Sequence, residues 1–182
     1  SAGDNKALDS AALTKLKNVD ALVHVVRCFE DDDVMHPLKS VDPARDCRSL
    51  EEEFQIADLV IIENRIARME KENKKDLEYD TLKKCRDHAE SGAPLRTLEL
   101  ADREDKLITG YTFLSRKPLL LLGNYGEESI GDDDPSGLES YAADTGQSLV
   151  ALCGAMEMEV AQLPPEERQT FREELGLGEE SR

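Results

Sequence analysis

Apolar positions along this 182-residue chain follow two rhythms. Where they run together, as in ALVHVV over 21–26 and PLLLL over 118–122, they predict strands buried on both faces of a parallel sheet. SLVAL over 148–152 predicts a third strand. Where they recur every three or four residues they predict helices. Residues 7–18 place Leu8, Ala12, Leu13 and Leu16 on one side of a short helix. Residues 44–74 read as one long helix whose Leu59, Ile62, Ile66 and Met69 form an a/d seam, beside a stripe of Leu50, Phe54, Ala57 and Ile61. A second helix over 77–90 offers Leu82, Cys85 and Ala89 at matching spacing. The short polar turn ENKKD joins the two, so they predict an antiparallel helical hairpin that projects from the domain. SGAP, with its Gly and Pro, ends the second helix. Further helices are predicted over 101–110, 136–145, 155–162 and 165–175, the last with Pro at its first turn and Gly176 just beyond its end.

Strands alternating with helices specify an α/β fold, a parallel sheet with right-handed crossovers. The expected organisation is a first α/β part over 1–43, the inserted hairpin over 44–93, the rest of the α/β part over 94–176, and a tail over 177–182.

Composition narrows the function. The net charge of −17 argues against direct DNA binding, because a field of that sign repels nucleic acid. The balance reverses locally, and Lys74, Lys75, Lys83 and Lys84 are read as a basic tip on the hairpin. No run approaches the roughly 18 apolar residues of a membrane span, and no signal peptide precedes Ala21, so a soluble cytoplasmic protein without membrane contact is expected. The four cysteines lack C-x-x-C spacing and form no zinc pattern with His24, His36 or His88, so they read as reduced thiols. The acidic run Asp31–Asp33 reads as a solvated loop, since three adjacent carboxylates do not readily converge on one ion.

Candidate chemistry lies at the strand ends, where open α/β sheets bind ligands. Asn124 and Glu127 in GNYGE are placed just past the second strand, and an Asn there offers both a donor and an acceptor to a purine edge. Cys153, Gly154 and Ala155 follow the third strand, and a small-residue turn there permits close approach of a base. Each feature alone also fits an ordinary solvated or tight turn.

Together with their surroundings these residues resemble a known family. VDALVHVVRCFEDDD over 19–33, SVDPAR over 40–45, the hairpin, KPLLLLGNYGEE, LCGAMEMEVAQL and PPEERQTFREELGL occur in order and at spacing similar to the YchF/Obg-like ATPases, within the Obg-related P-loop GTPase superfamily. The resemblance begins near Leu8 and covers nearly the whole chain. It implies a G-domain-like fold, here with a partial parallel sheet, and an inserted antiparallel coiled coil. It implies ATP, or GTP, with Mg2+. It implies N-x-x-E in place of the guanine-reading motif, at Asn124, Tyr125, Gly126 and Glu127, with Asn124 and the Tyr125 main chain beside the adenine and Cys153, Gly154 and Ala155 as the second base-side turn. It also implies a ribosome or translation-related partner, reached through the hairpin.

The chain departs from the family in its phosphate half. Its 182 residues contain no G-x-x-x-x-G-K-[S/T] and no Gly–Lys dipeptide, so neither a phosphate cradle nor Mg2+ ligands are encoded in them. Gly3 stands where a switch-sequence remnant would, and Ala7, Leu8, Asp9 and Ser10 replace glycines of the family's switch segment. No counterpart of the family histidine associated with hydrolysis, and no trailing β-rich domain, is visible. A piece of a longer protein and a divergent relative without ATPase function both account for this. In either case the chain alone is expected not to hydrolyse ATP. The competing class is a non-catalytic module that binds the ribosome or another protein through the hairpin.

Overall fold

A computed structural model describes residues 8–129, 134 and 136–174. Its elements run α1 (Ser10–Leu16), β1 (Leu22–Cys28), α2 (Pro43–Lys71), α3 (Leu77–Glu90), α4 (Asp102–Ile108), β2 (Leu119–Tyr125), α5 (Leu138–Thr145), β3 (Ser148–Leu152), α6 (Gly154–Gln162) and α7 (Pro165–Glu174). Gly3 and the expected tail at 177–182 lie outside the described residues. The chain divides into two compact units, Ser1–Val23 with Arg45–Leu119, and His24–Ala44 with Leu120–Arg182.

In the first unit, local chemistry sets the helix ends. Asp9 caps α1 by accepting the Ala12 N–H at 2.7 Å, so the helix starts at residue 10 rather than 7. Helix α2 stops at 71, short of the expected 74, because Asn73 adopts a left-handed φ of 52° and the Lys74 N–H turns back to the Met69 carbonyl at 2.8 Å. Asp76 caps α3 through the Tyr79 N–H at 3.2 Å. The predicted seam is the buried one. Ile62, Ile66 and Met69 of α2 pack in one core with Tyr79, Leu82, Cys85 and Ala89 of α3, joined by Leu95, Ile108 and Phe113. Polar pairings join the two segments: Gln55, early in α2, donates to the Gly92 carbonyl just past α3, while Arg65 and Glu70, later in α2, meet Glu78 and the Tyr79 hydroxyl at the start of α3.

One buried charge is central to this unit. Asp58 is fully buried on α2, and its carboxylate accepts the Leu114 N–H, the Ser115 N–H and the Ser115 hydroxyl at 2.8, 2.8 and 2.7 Å. It fastens the segment leading to β2 onto α2.

The second unit holds the sheet, with strand order β1-β2-β3. Strands β2 and β3 pair in parallel from Leu120 opposite Ser148 to Asn124 opposite Leu152. Two expectations need correction. Strand β2 continues through Tyr125, so Asn124 belongs to the strand rather than to a loop beyond it. Strand β1 is not buried on both faces. Leu22, Val26 and Cys28 are buried, while Val23 and Val25 are 57% and 61% exposed, the alternation of a strand covered on one side. Helix α5 begins at 138 rather than 136, because Gly137 takes a φ of 70° and Asp134 gathers the Glu139 and Ser140 N–H groups, both at 2.9 Å. All four cysteines are buried free thiols, and burial pushes Cys85 up to about 11. Among the described residues no helix is long and apolar enough to cross a membrane.

Candidate functional site

At the carboxyl ends of β2 and β3 the second unit carries a cleft of about 260 Å³ lined by Phe29, Asn124, Tyr125, Gly126, Glu127, Glu128, Cys153 and Ala155. Pockets that enclose a whole drug-sized ligand run to roughly 300–1,000 Å³. The cleft is thus somewhat smaller than a site that encloses a whole drug-sized ligand.

Asn124 is the hub. Its Oδ1 accepts the Gly154 N–H at 2.9 Å, which ties the end of β2 to the first residue of α6. The approach is close: a Cβ at 154 would lie 3.1 Å from Asn124 Oδ1, so a larger residue there needs the Asn124 side chain to give way by a few tenths of an ångström. The bond also divides the amide: its oxygen is committed within the protein, and its NH2 is the end with donors to give.

Tyr125 is anchored by its ring. The ring is buried, lies over Gly123, and its hydroxyl accepts from Ser136 at 3.2 Å. Burial pushes the Tyr125 phenol up, and likewise the Cys28 thiol beside it. A Cβ on Gly123 would stand 2.6 Å from Tyr125 Cε2 and 3.0 Å from Leu138 Cδ2. Gly123→Ala is therefore expected to cost about 1–3 kcal/mol by overpacking, read by chemical denaturation, with unchanged stability counting against this packing.

Glu127 opens a one-turn 3-10 helix at the cleft rim and is exposed. Cys153 and Ala155 line the opposite side, with the Cys153 side chain buried. The fold thus brings Asn124, Tyr125, Glu127, Cys153 and Ala155 to one cleft, with Gly154 bonded to its central residue. Sequence reasoning missed Phe29 and Glu128 as lining residues. The available signal for Phe29 was an aromatic residue directly after a strand, at the sheet edge where ligands bind.

The four lysines have different surroundings. Lys74 and Lys75 are exposed in the turn before α3, and Lys74 pairs with Asp76 at 3.1 Å and Glu78 at 3.4 Å. Lys83 lies 5.7 Å from the Tyr79 ring centroid, and Lys84 pairs with Glu104 at 2.5 Å. Among the described residues no group of three or more His, Cys, Asp or Glu is placed to hold a metal ion.

No protein-family model matches the chain. Curated proteins do. The chain is 35% identical over 189 residues to the ribosome-binding ATPase YchF of Bacillus subtilis (strain 168), covering 98% of this chain and 51% of that protein. It is 35% identical over 185 residues to the ribosome-binding ATPase YchF of Escherichia coli O157:H7, with the same coverage of each. It is 30% identical over 187 residues to the Obg-like ATPase 1 of Caenorhabditis elegans, covering 97% of this chain and 47% of that protein. The chain thus spans about half the length of the curated relatives it matches. Its fold is that of the YchF GTPase of Schizosaccharomyces pombe, with a TM-score of 0.84 at 23% identity over 97% of this chain and 51% of that one.

Proposed function

The chain belongs, across nearly all of its own length, to the YchF/Obg-like ATPase family, and on that premise we propose that it supplies the base-reading side of an ATP site. The observation that carries this reading is the Asn124 amide, held by Gly154 at the carboxyl edge of the sheet and lining the cleft. Its NH2 can donate to a purine ring nitrogen such as N7, which adenine and guanine share. Choice between them then falls to the six-position. There a carboxylate such as Glu127 accepts the adenine amine and repels the guanine carbonyl. Cys153 and Ala155 close the cleft from the β3 side.

The 182 residues contain no phosphate-cradling motif, so binding is proposed to come from the base, and hydrolysis by this chain alone is not expected. Titration calorimetry with ATP and Mg2+, against GTP, tests the reading. Heat with a preference for ATP supports it. No binding at millimolar nucleotide overturns it and leaves the interaction-module reading.

We further propose that α2 and α3 form the family's inserted antiparallel coiled coil, spanning 44–93 between two parts of a G-domain-like fold at 1–43 and 94–176. The pairing of Gln55 beyond the end of α3, and of Arg65 and Glu70 with its start, supports this arrangement. The matched bacterial proteins are named ribosome-binding, and a cytoplasmic chain that meets the ribosome through Lys74 and Lys75 is the corresponding proposal here. Lys74→Glu with Lys75→Glu is expected to weaken ribosome co-sedimentation more than Lys83→Glu with Lys84→Glu, because the first pair is exposed in the turn. Equal binding by all variants would remove the hairpin from this role.

A further inference from the structure

We infer that Arg27 is the positioning residue that fixes the Phe29 wall of the cleft, an inference that rests on the purine reading above. Arg27 lies near the end of β1, and its side chain gathers the loop that follows. Its Nε donates to the Phe29 carbonyl at 2.9 Å, its Nη1 to the Val34 carbonyl at 2.7 Å, and its Nη2 to the Asp31 carbonyl at 3.2 Å. Its guanidinium carbon lies 4.8 Å from the centroid of the Phe29 ring. Phe29 in turn lines the cleft with Asn124, Cys153 and Ala155.

A single guanidinium thus holds both the main chain of the loop and the ring that the loop presents. The loop needs such a hold. Glu30, Asp31, Asp32 and Asp33 place four consecutive carboxylates on it, and like charges so close push a chain apart. Within the loop, the Asp33 N–H on Asp31 Oδ1 at 2.9 Å and the Val34 N–H on the Asp31 carbonyl at 3.3 Å shape only a tight turn. Neither of these bonds reaches Phe29. The cation offsets the acidic loop, and its fixed fork reaches three carbonyls at once, which a lysine ammonium on its flexible stem cannot match. A ring held in advance gives a purine a preordered face, so ordering it is not charged against binding.

The test titrates adenosine, ATP and inorganic tripolyphosphate into the wild-type chain, Arg27→Lys, Arg27→Ala and Phe29→Leu. It also compares amide hydrogen exchange over 29–34 with that of the rest of the second unit. The expected result for Arg27→Lys is an about tenfold loss of affinity for adenosine and ATP, the size of one base–aromatic contact. The response to tripolyphosphate is unchanged, and exchange is faster in the loop alone. Phe29→Leu should lose base affinity without loosening the loop. If Arg27→Ala unfolds the unit, Arg27→Lys alone decides. Adenosine affinity within about twofold of wild type in Arg27→Lys, or an equal loss for tripolyphosphate, overturns the inference. A wild-type chain that binds neither adenosine nor ATP overturns the purine reading instead. The exchange measurement then decides the strap by itself: unchanged loop exchange in Arg27→Lys removes it, and faster exchange retains it.

Discussion

Replacing Asp58 by alanine is expected to lower stability by about 3–5 kcal/mol, since three buried donors lose their acceptor at once. The Leu114 N–H, the Ser115 N–H and the Ser115 hydroxyl all end on this one carboxylate, and both Asp58 and Ser115 are fully buried. In a chain of this size the loss reads as a fall of roughly 10 °C in Tm. Asp58→Asn should fall between the two, because an amide oxygen keeps one acceptor while its NH2 faces a donor. The pH dependence has a definite sign. Burial pushes the Asp58 carboxyl above the usual carboxylate range, against the hydrogen bonds from Ser115 and Leu114 that pull it down. The folded state therefore holds this proton more tightly than the unfolded chain does. Its contribution is fully present below the ordinary carboxylate value and is lost as pH rises through the raised one. Glu78 runs the other way: burial pushes it up, but hydrogen bonds from Tyr111 and Arg65 prevail and hold it low, so its contribution is lost as pH falls. The stability advantage of wild type over Asp58→Asn should accordingly shrink as pH rises through that window. An advantage that grows with pH, followed by thermal melting across a pH series, would sink this account.

Asp58 also shows where the sequence stops being legible. The seam of α2 was readable because burial there follows helical spacing, and Ile62, Ile66 and Met69 are buried as the spacing requires. Asp58 falls between Ala57 and Leu59, where an acid in a helical pattern reads as solvated. Its partners lie 56 and 57 residues later in the chain, beyond any local rhythm. The partners of two of the lysines were hidden for the related reason that a count of cations along the chain does not see counterions. Asp76 and Glu78 for Lys74, and Glu104 for Lys84, are supplied by the fold. The cleft was legible where it depends on strand ends, so Asn124, Glu127 and the turn at 153–155 emerged from pattern and resemblance. Phe29 did not, because its position depends on a side chain two residues earlier folding back over the loop. The exposure of Val23 and Val25 was hidden too: an unbroken apolar run predicts a strand but does not say how many of its faces are covered.

Asn124→Asp is expected to weaken ATP binding by about a hundredfold or more while leaving the fold intact. The substitution separates the two ends of the amide. A carboxylate keeps an oxygen for the Gly154 N–H, now bonded to Oδ1 at 2.9 Å, and a negative charge at the first residue of α6 favours that helix end. What disappears is the NH2, and what replaces it repels the lone pair of a purine ring nitrogen. Asn124→Ala removes both ends. It should lose binding to a similar degree and also cost about 1 kcal/mol, as the Gly154 N–H gives up its acceptor. Calorimetric titration with ATP and thermal melting of both variants decide between roles. Binding lost in both, with stability lost only in the alanine variant, assigns the amide oxygen to architecture and the amide NH2 to the base. ATP binding retained in the aspartate variant would take Asn124 out of base recognition. An aspartate variant as unstable as the alanine variant would mean that the amide's geometry, rather than an acceptor at that point, holds α6 to the strand. The aspartate variant is the sharper probe because it preserves the one contact the fold itself requires.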